Sequence, residues 1–168
     1  GGVLFIDEAY ALTAERGNLY GAEAVATLVQ LMENRRGQFA IIAAGYREDM
    51  KFFVESNPGL KSRMDHEVHF PNYSPTELLE IFEKMASDKA IAITVDVRSR
   101  LLEHFSANPT GGANGNGRYV RKLFEYACGA MASRAAESDY DIAILSAFTP
   151  DDIPAALPDS TAQRRIGF

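Results

Sequence analysis

Asp7 and Glu8 are adjacent carboxylates set directly after a four-residue apolar run, Val3-Leu4-Phe5-Ile6. Such a run reads as a β-strand buried on both faces of a parallel sheet. It delivers both acids to the strand's C-terminal end, the edge at which open parallel sheets bind ligands. Neighbouring residues there point to opposite sides of the backbone. One carboxylate can then hold a magnesium ion through its water shell while the other orients or deprotonates an attacking water. The alternative is purely local: Asp7 caps a following helix and Glu8 is solvated.

Two arginines could complement such a pair. Arg63 closes the segment Asn57-Pro58-Gly59-Leu60-Lys61-Ser62-Arg63. A planar, permanently charged guanidinium suits the equatorial oxygens of a transferring phosphoryl group, and in GTPases such a group is worth about three to five powers of ten in rate. Lys61 is a weaker candidate for the same duty. A surface pair of Arg63 with Asp65 or Glu67 is the competing reading. Arg118 follows Gly115-Asn116-Gly117 at the start of a helix, with Arg121 one turn on. A cation there opposes the helix macrodipole, which implies an anionic partner outside the helix, either a ligand or a carboxylate.

Other constellations carry no chemistry. Gly111, Gly112, Gly115 and Gly117 are not a phosphate-cradling loop, because no Gly-Lys dipeptide occurs in the sequence and no strand precedes them, as G-x-x-x-x-G-K-[ST] requires. His66 and His69, three apart on an expected strand, face opposite ways, and His104 lies on a helix, so no metal site is assigned to the histidines. Cys128, the single cysteine, reads as a reduced core thiol.

The elements that position these residues alternate at first. Apolar runs at Val3–Ile6, Phe39–Ala44 and Val68–Phe70 read as strands. Between them, Glu23–Asn34 shows a helical stripe of Ala24, Val25, Leu28, Leu31 and Met32 stopped by Gly37, and a polar helix lies near Glu48–Glu55. This is part of a parallel α/β sheet. From Tyr73 the pattern turns helical. Ser74, Pro75 and Glu77 form a capping box, and helices follow from there, over Val95–Phe105 and over Arg118–Ala135. Ile142–Leu145 reads as a short strand, and Thr149-Pro150-Asp151-Asp152 opens a last helix to about Leu157. The fold class is therefore α/β with a partial parallel sheet over residues 1–72, followed by a small helical lobe over 73–157 and a tail over 158–168. The chain enters a buried strand with no crossover before it, so it is expected to be cut from something longer and to self-associate through the open half-sheet.

Seventeen basic against 23 acidic side chains give a net charge of −6, and with a pI near 5.1 no general positive field exists to attract nucleic acid. No apolar run approaches the roughly 18 residues that cross a bilayer, and no signal segment opens the chain. A cytoplasmic protein without membrane insertion is expected.

Taken in order, GGVLFIDEAYAL, AAGY, SNPGLKSR, FPNYSPTELLEIF and GNGRYVRKLFE resemble the CbxX/CfxQ branch of the AAA+ ATPases, a branch that includes a rubisco activase and a type VII secretion ATPase. The resemblance runs to about residue 137. It implies the P-loop AAA+ large subdomain followed by a helical lid, with ATP and Mg²⁺ as cofactors. Asp7, which would hold the metal through water, and Glu8 would be the Walker B pair. Arg63 would be the arginine finger, Arg118 the sensor 2 residue and Thr13–Tyr20 the second pore loop. At the sensor 1 position the chain departs from the usual Asn, Thr or Ser and reads Ala43-Ala44-Gly45-Tyr46, in which only Tyr46 offers a polar group. The implied whole is a homo-oligomeric, hexameric ring that remodels a protein substrate. The family's Walker A loop and first pore loop precede the Walker B strand, so the 168-residue chain alone is expected to be inactive. Two other classes compete: a non-catalytic interaction or oligomerisation module, and a metal-dependent hydrolase built on Asp7 and Glu8.

Overall fold

The computed structural model describes residues 1–13, 19–108, 115–138 and 142–158. Most of the expected pore loop Thr13–Tyr20, the glycines Gly111 and Gly112, and all but the first residue of the 158–168 tail lie outside them. The chain forms two compact units, Gly1–Phe70 and Pro71–Phe168.

In the first unit, β1 (Val3–Ile6) and β2 (Ala40–Ala43) pair in parallel with Val3 opposite Ala40 and Phe5 opposite Ile42. A 3-10 turn, Ala9–Leu12, follows β1, and α1 (Leu19–Asn34) is the crossover to β2. Then come α2 (Arg47–Glu55) and the single turn α3 (Pro58–Lys61). α1 begins about one turn earlier than its apolar stripe suggests. Val25 and Leu28 from that stripe join Ala9, Phe53 and Leu60 in the unit's core.

β1 is not the doubly buried strand expected. Side chains alternate across a sheet, and Ile6, Ile41 and Ala43 lean on the core from one face. On the other face Val3, Phe5 and Ile42 are 65%, 59% and 51% exposed, because no described element of this unit covers them. The third expected strand is also absent. Val68–Phe70 pairs with no described residue and carries no regular structure, since a strand exists only through a ladder partner and among the described residues β1 and β2 are paired only with each other. His66 and His69 therefore do not sit on a strand.

The second unit packs α4 (Pro75–Asp88), α5 (Val95–Ala107) and α6 (Asn116–Glu137) with 3-10 turns at Ile142–Ser146 and Pro150–Asp152. The capping box is formed: the Ser74 hydroxyl accepts from the Glu77 amide, and the Glu77 carboxylate accepts from the Ser74 amide at 2.7 Å. The Ser74 backbone N–H, then its hydroxyl, hold the Glu77 carboxyl below the usual range. Phe82, Phe124 and Phe148 meet at the centre with ring centroids 5.2–5.7 Å apart, tilted or edge-on, the arrangement that ring quadrupoles favour. Cys128 packs against this core, and burial pushes its thiol up.

Two expectations fail here for local reasons. Ile142–Leu145 forms a 3-10 turn, not a strand; the parallel bridge falls just after it, between Ala92 and Ala147. The last helix stops after one turn because Pro154 follows. Proline disfavours the helical region for the residue before it, and Ile153 is extended at φ −105°, ψ 107°. Asp152, buried at the end of that turn, accepts from the Thr149 amide and from Arg134 at 2.9 Å. Among the described residues no helix is long and apolar enough to cross a membrane.

Candidate functional site

Ala44, just past β2, fixes the turn that carries the two acids. Its amide donates to Ile6 O at 2.8 Å and its carbonyl accepts from the Ala9 amide at 3.0 Å. Asp7 and Glu8 are thereby bracketed as a two-residue protrusion at the C-terminal edge of the sheet, both exposed. Asp7 Oδ1 accepts from the Glu8 amide at 3.0 Å. Glu8 adopts the left-handed conformation, φ 49°, ψ 42°, rare and costly for a residue with a Cβ. Among the described residues Asp7 thus bonds only its neighbour's amide, and the Glu8 carboxylate has no hydrogen bond or ion pair.

Tyr46 occupies the N-cap position of α2 at the same edge without a side-chain capping bond, and its ring lies 6.2 Å from that of Tyr10. Gly45 makes this approach possible: a Cβ there would meet the Tyr10 ring and Met50 Sδ at 2.8 Å. The Tyr10 hydroxyl is held above its usual range, first by desolvation and then by the fields of Glu8, Asp49, Tyr46 and Asp7. The edge is acidic, and Asp49 belongs to it. Sequence reading missed Asp49, although its place in the first turn after a strand follows the logic that found Asp7.

For Mg²⁺ the donor set fits one mode of binding. Among the described residues no cluster of three or more His, Cys, Asp or Glu side chains could cage a metal. Mg²⁺ keeps most of its waters and takes one or two carboxylates plus substrate phosphates, which a lone exposed Asp7 can satisfy.

Arg63 is engaged elsewhere in this unit. It follows α3, whose N-cap Asn57 accepts from the Gly59 amide at 2.7 Å. Its guanidinium donates to Gly59 O, to Ser62 Oγ and, at 2.5 Å, to Glu33 Oε2 near the end of α1. The partner is Glu33, not Asp65 or Glu67: Asp65 lies beside His66, and Glu67 pairs with Arg47. The bond from Arg63 and then its charge hold the Glu33 carboxyl below the usual range. Nothing in the local sequence signals this partner, 30 residues away. No hydrogen bond or ion pair joins Arg63 to Asp7 or Glu8, and Lys61 stays exposed in the last turn of α3.

Arg118 belongs to the second unit. α6 starts from Gly115 at φ 63°, with no side-chain cap. A Cβ at Gly115 would press within 3.4 Å of Arg118 Cβ. Arg118 is exposed, and among the described residues no acceptor takes its guanidinium, so the carboxylate alternative is not realised there. The first turn of the helix and the cation together form a positive terminus.

Residues 1–72 match the family described as "ATPase family associated with various cellular activities (AAA)", and residues 74–163 match the AAA lid domain. A CfxQ homolog from Galdieria sulphuraria is 41% identical over 135 residues, 80% of this chain and 44% of that protein. The ESX-1 secretion system protein EccA1 of Mycobacterium leprae is 42% identical over 138 residues, 76% of this chain and 24% of that protein. Protein CbbX of Cereibacter sphaeroides is 37% identical over 160 residues, 93% of this chain and 52% of that protein. The chain thus spans from about a quarter to about half the length of these relatives.

Proposed function

Because this chain belongs to the CbxX/CfxQ branch of the AAA+ ATPases, we propose that it supplies the water-activating and nucleotide-sensing part of a ring-forming ATP hydrolase that remodels a protein substrate. Asp7 holds Mg²⁺ through its water shell, and the ion when bound offsets phosphate charge. Glu8 orients and deprotonates the attacking water. Tyr46 stands at the sensor 1 position with its hydroxyl as the only polar side-chain group. Arg118 engages nucleotide as sensor 2 from the lid of the same subunit. Arg63 reaches the neighbouring subunit's γ-phosphate once it leaves Glu33, an exchange that costs little because exposed ion pairs contribute little.

One observation carries the reading: the Ala44 bracket presents two exposed carboxylates, free of side-chain partners among the described residues, at the C-terminal edge of a parallel sheet, where such sheets bind ligands. The phosphate loop must come from polypeptide outside these residues, since no Gly-Lys dipeptide is present. For the isolated 168 residues that same feature favours the second reading, a non-catalytic oligomerisation module.

The test compares ATP turnover by the full-length gene product with that of its Glu8→Gln variant. Loss of a general base costs about two to four powers of ten, so turnover should fall by at least about 100-fold while ATP binding persists. Unchanged turnover would remove Glu8 from the mechanism. A robust, Glu8-dependent ATPase from the 168-residue chain alone would overturn the assignment of the phosphate loop to other polypeptide.

A further inference from the structure

Two side chains of α5 and that of its C-cap residue, at four-residue spacing, bind three successive carbonyls of the segment after the 3-10 turn Pro150–Asp152. Arg100 Nε donates to Ile153 O at 3.3 Å, His104 Nδ1 contacts Pro154 O at 2.7 Å, and Asn108 Nδ2 donates to Ala155 O at 2.9 Å. His104 is 1% exposed. A carbonyl can only accept, so Nδ1 carries the proton, and the neutral ring is left with Nε2 as an acceptor. The Tyr119 hydroxyl lies 2.8 Å from Nε2 and must donate to it. The two rings are also stacked, with centroids 5.8 Å apart.

Tyr119 directly follows Arg118, in the first turn of α6. That turn has a flexible glycine on either side of Asn116, no side-chain cap at Gly115, and a long cation that no described residue holds. The same turn is tied on another side: the Asn116 carboxamide accepts from the Tyr73 amide at 3.1 Å and donates to Asn72 Oδ1 at 2.9 Å. The part-buried hydrogen bond from Tyr119 to His104, of fixed direction, therefore links the α5 ladder to the turn that aims Arg118.

We infer that His104 and Tyr119 are positioning residues for Arg118: the Tyr119 hydroxyl, oriented by the His104 tautomer, holds the first turn of α6 so that the guanidinium meets nucleotide in one geometry. This rests on the sensor reading of Arg118. It differs from core packing in a way that can be measured, because Tyr119→Phe keeps the stacked ring and removes only the oriented hydroxyl.

The experiment is binding of a fluorescent ADP analogue to the full-length gene product carrying Tyr119→Phe, Arg118→Ala or both, each with its thermal melting curve. A net hydrogen bond corresponds to about a five-fold change in an equilibrium constant. Tyr119→Phe should weaken binding about five-fold, Arg118→Ala should weaken it at least as much, and Tyr119→Phe should add nothing in the Arg118→Ala background. Unchanged affinity in Tyr119→Phe overturns the inference, as does an equal Tyr119→Phe loss with or without Arg118. Wild-type affinity in Arg118→Ala alone overturns the sensor reading and the positioning role with it. If Tyr119→Phe melts early, the Arg118-dependence of its binding loss still decides, because a packing defect does not vanish when a surface arginine is removed.

Discussion

Glu8, the proposed water-activating residue, sits in a backbone conformation that costs its unit stability. Its left-handed backbone suits glycine, which has no Cβ penalty there, whereas other residues store about 1 kcal/mol or more. Glu8→Gly should therefore stabilise the first unit by up to about 1 kcal/mol after the entropy of a freer unfolded chain, read as a raised urea midpoint, while abolishing ATP turnover in the full-length product. A lowered midpoint would mean that the left-handed turn is not strained. His104 gives a stability signature with a definite sign. Desolvation pushes its pKa down, the Pro154 bond opposes this, and Arg100 adds to the lowering. Between the folded and unfolded pKa values the unfolded chain binds more protons. The contribution is thus fully present above about pH 6.5, the ordinary histidine value, and is lost as pH falls through the lower folded value. The melting temperature of the second unit should be flat from pH 8 to 7 and decline below about pH 6.5. Glu33 and Glu77, with lowered pKa values, act only in the more acidic carboxylate range. A flat profile to pH 5 would contradict the burial of a neutral imidazole. At this scale the place of Asp7 and Glu8 at the C-terminal end of β1 was legible because it depends on the apolar run directly before them. The partner of Arg63 and the tautomer of His104 were not, because Glu33, Pro154 and Tyr119 are brought to them only by tertiary packing.

Elements were legible to the extent that their causes are local. The Ser74 capping box and the stop at Gly37, a positive-φ glycine, follow from side-chain and backbone chemistry within one turn. Val68–Phe70 is rich in β-formers, as is Phe39–Ala44, and became no strand, because pairing is not a property of the segment itself. α3 is the element on which the candidate finger depends, and it is a single turn seated against α1 at Gly59. A Cβ there would meet Val29 Cγ1 at 2.5 Å and Asn57 Oδ1 at 3.0 Å. Gly59→Ala should overpack this contact at about 1–3 kcal/mol and displace Arg63 from Glu33, whose carboxyl would then titrate nearer its ordinary value; NMR titration of Glu33 reads this directly. An unchanged Glu33 titration would show that α3 tolerates the shift without moving Arg63. In the second unit the corresponding weak point is the ring cluster. Phe82→Ala should cost about 3–5 kcal/mol, since Phe82 is fully buried and touches both Phe124 and Phe148.

At the scale of the whole molecule the two units differ in how well they satisfy themselves. The second encloses a core in which the largest buried side chains come from all three helices and from the segment after Ala147. The first leaves Val3, Phe5 and Ile42 bare on one sheet face, with Val68 and Phe70 74% and 84% exposed beyond it. Apolar surface of this kind seeks cover, at about 25 cal/mol for each Å² removed from water, and an open β-edge offers a ready hydrogen-bonding template. The 168-residue chain should therefore associate through its first unit, with light scattering rising with concentration. Introducing charge on the bare face, as Phe5→Lys with Ile42→Lys, should return it to monomer. The same pair of substitutions should leave the melting of the second unit unchanged, because neither residue takes part in its core. A wild-type chain that stays monomeric at high concentration would mean that the exposed face is tolerated in water as it stands. Association that survives the double charge would instead locate the contact on the β-edge, where backbone groups pair regardless of side chain.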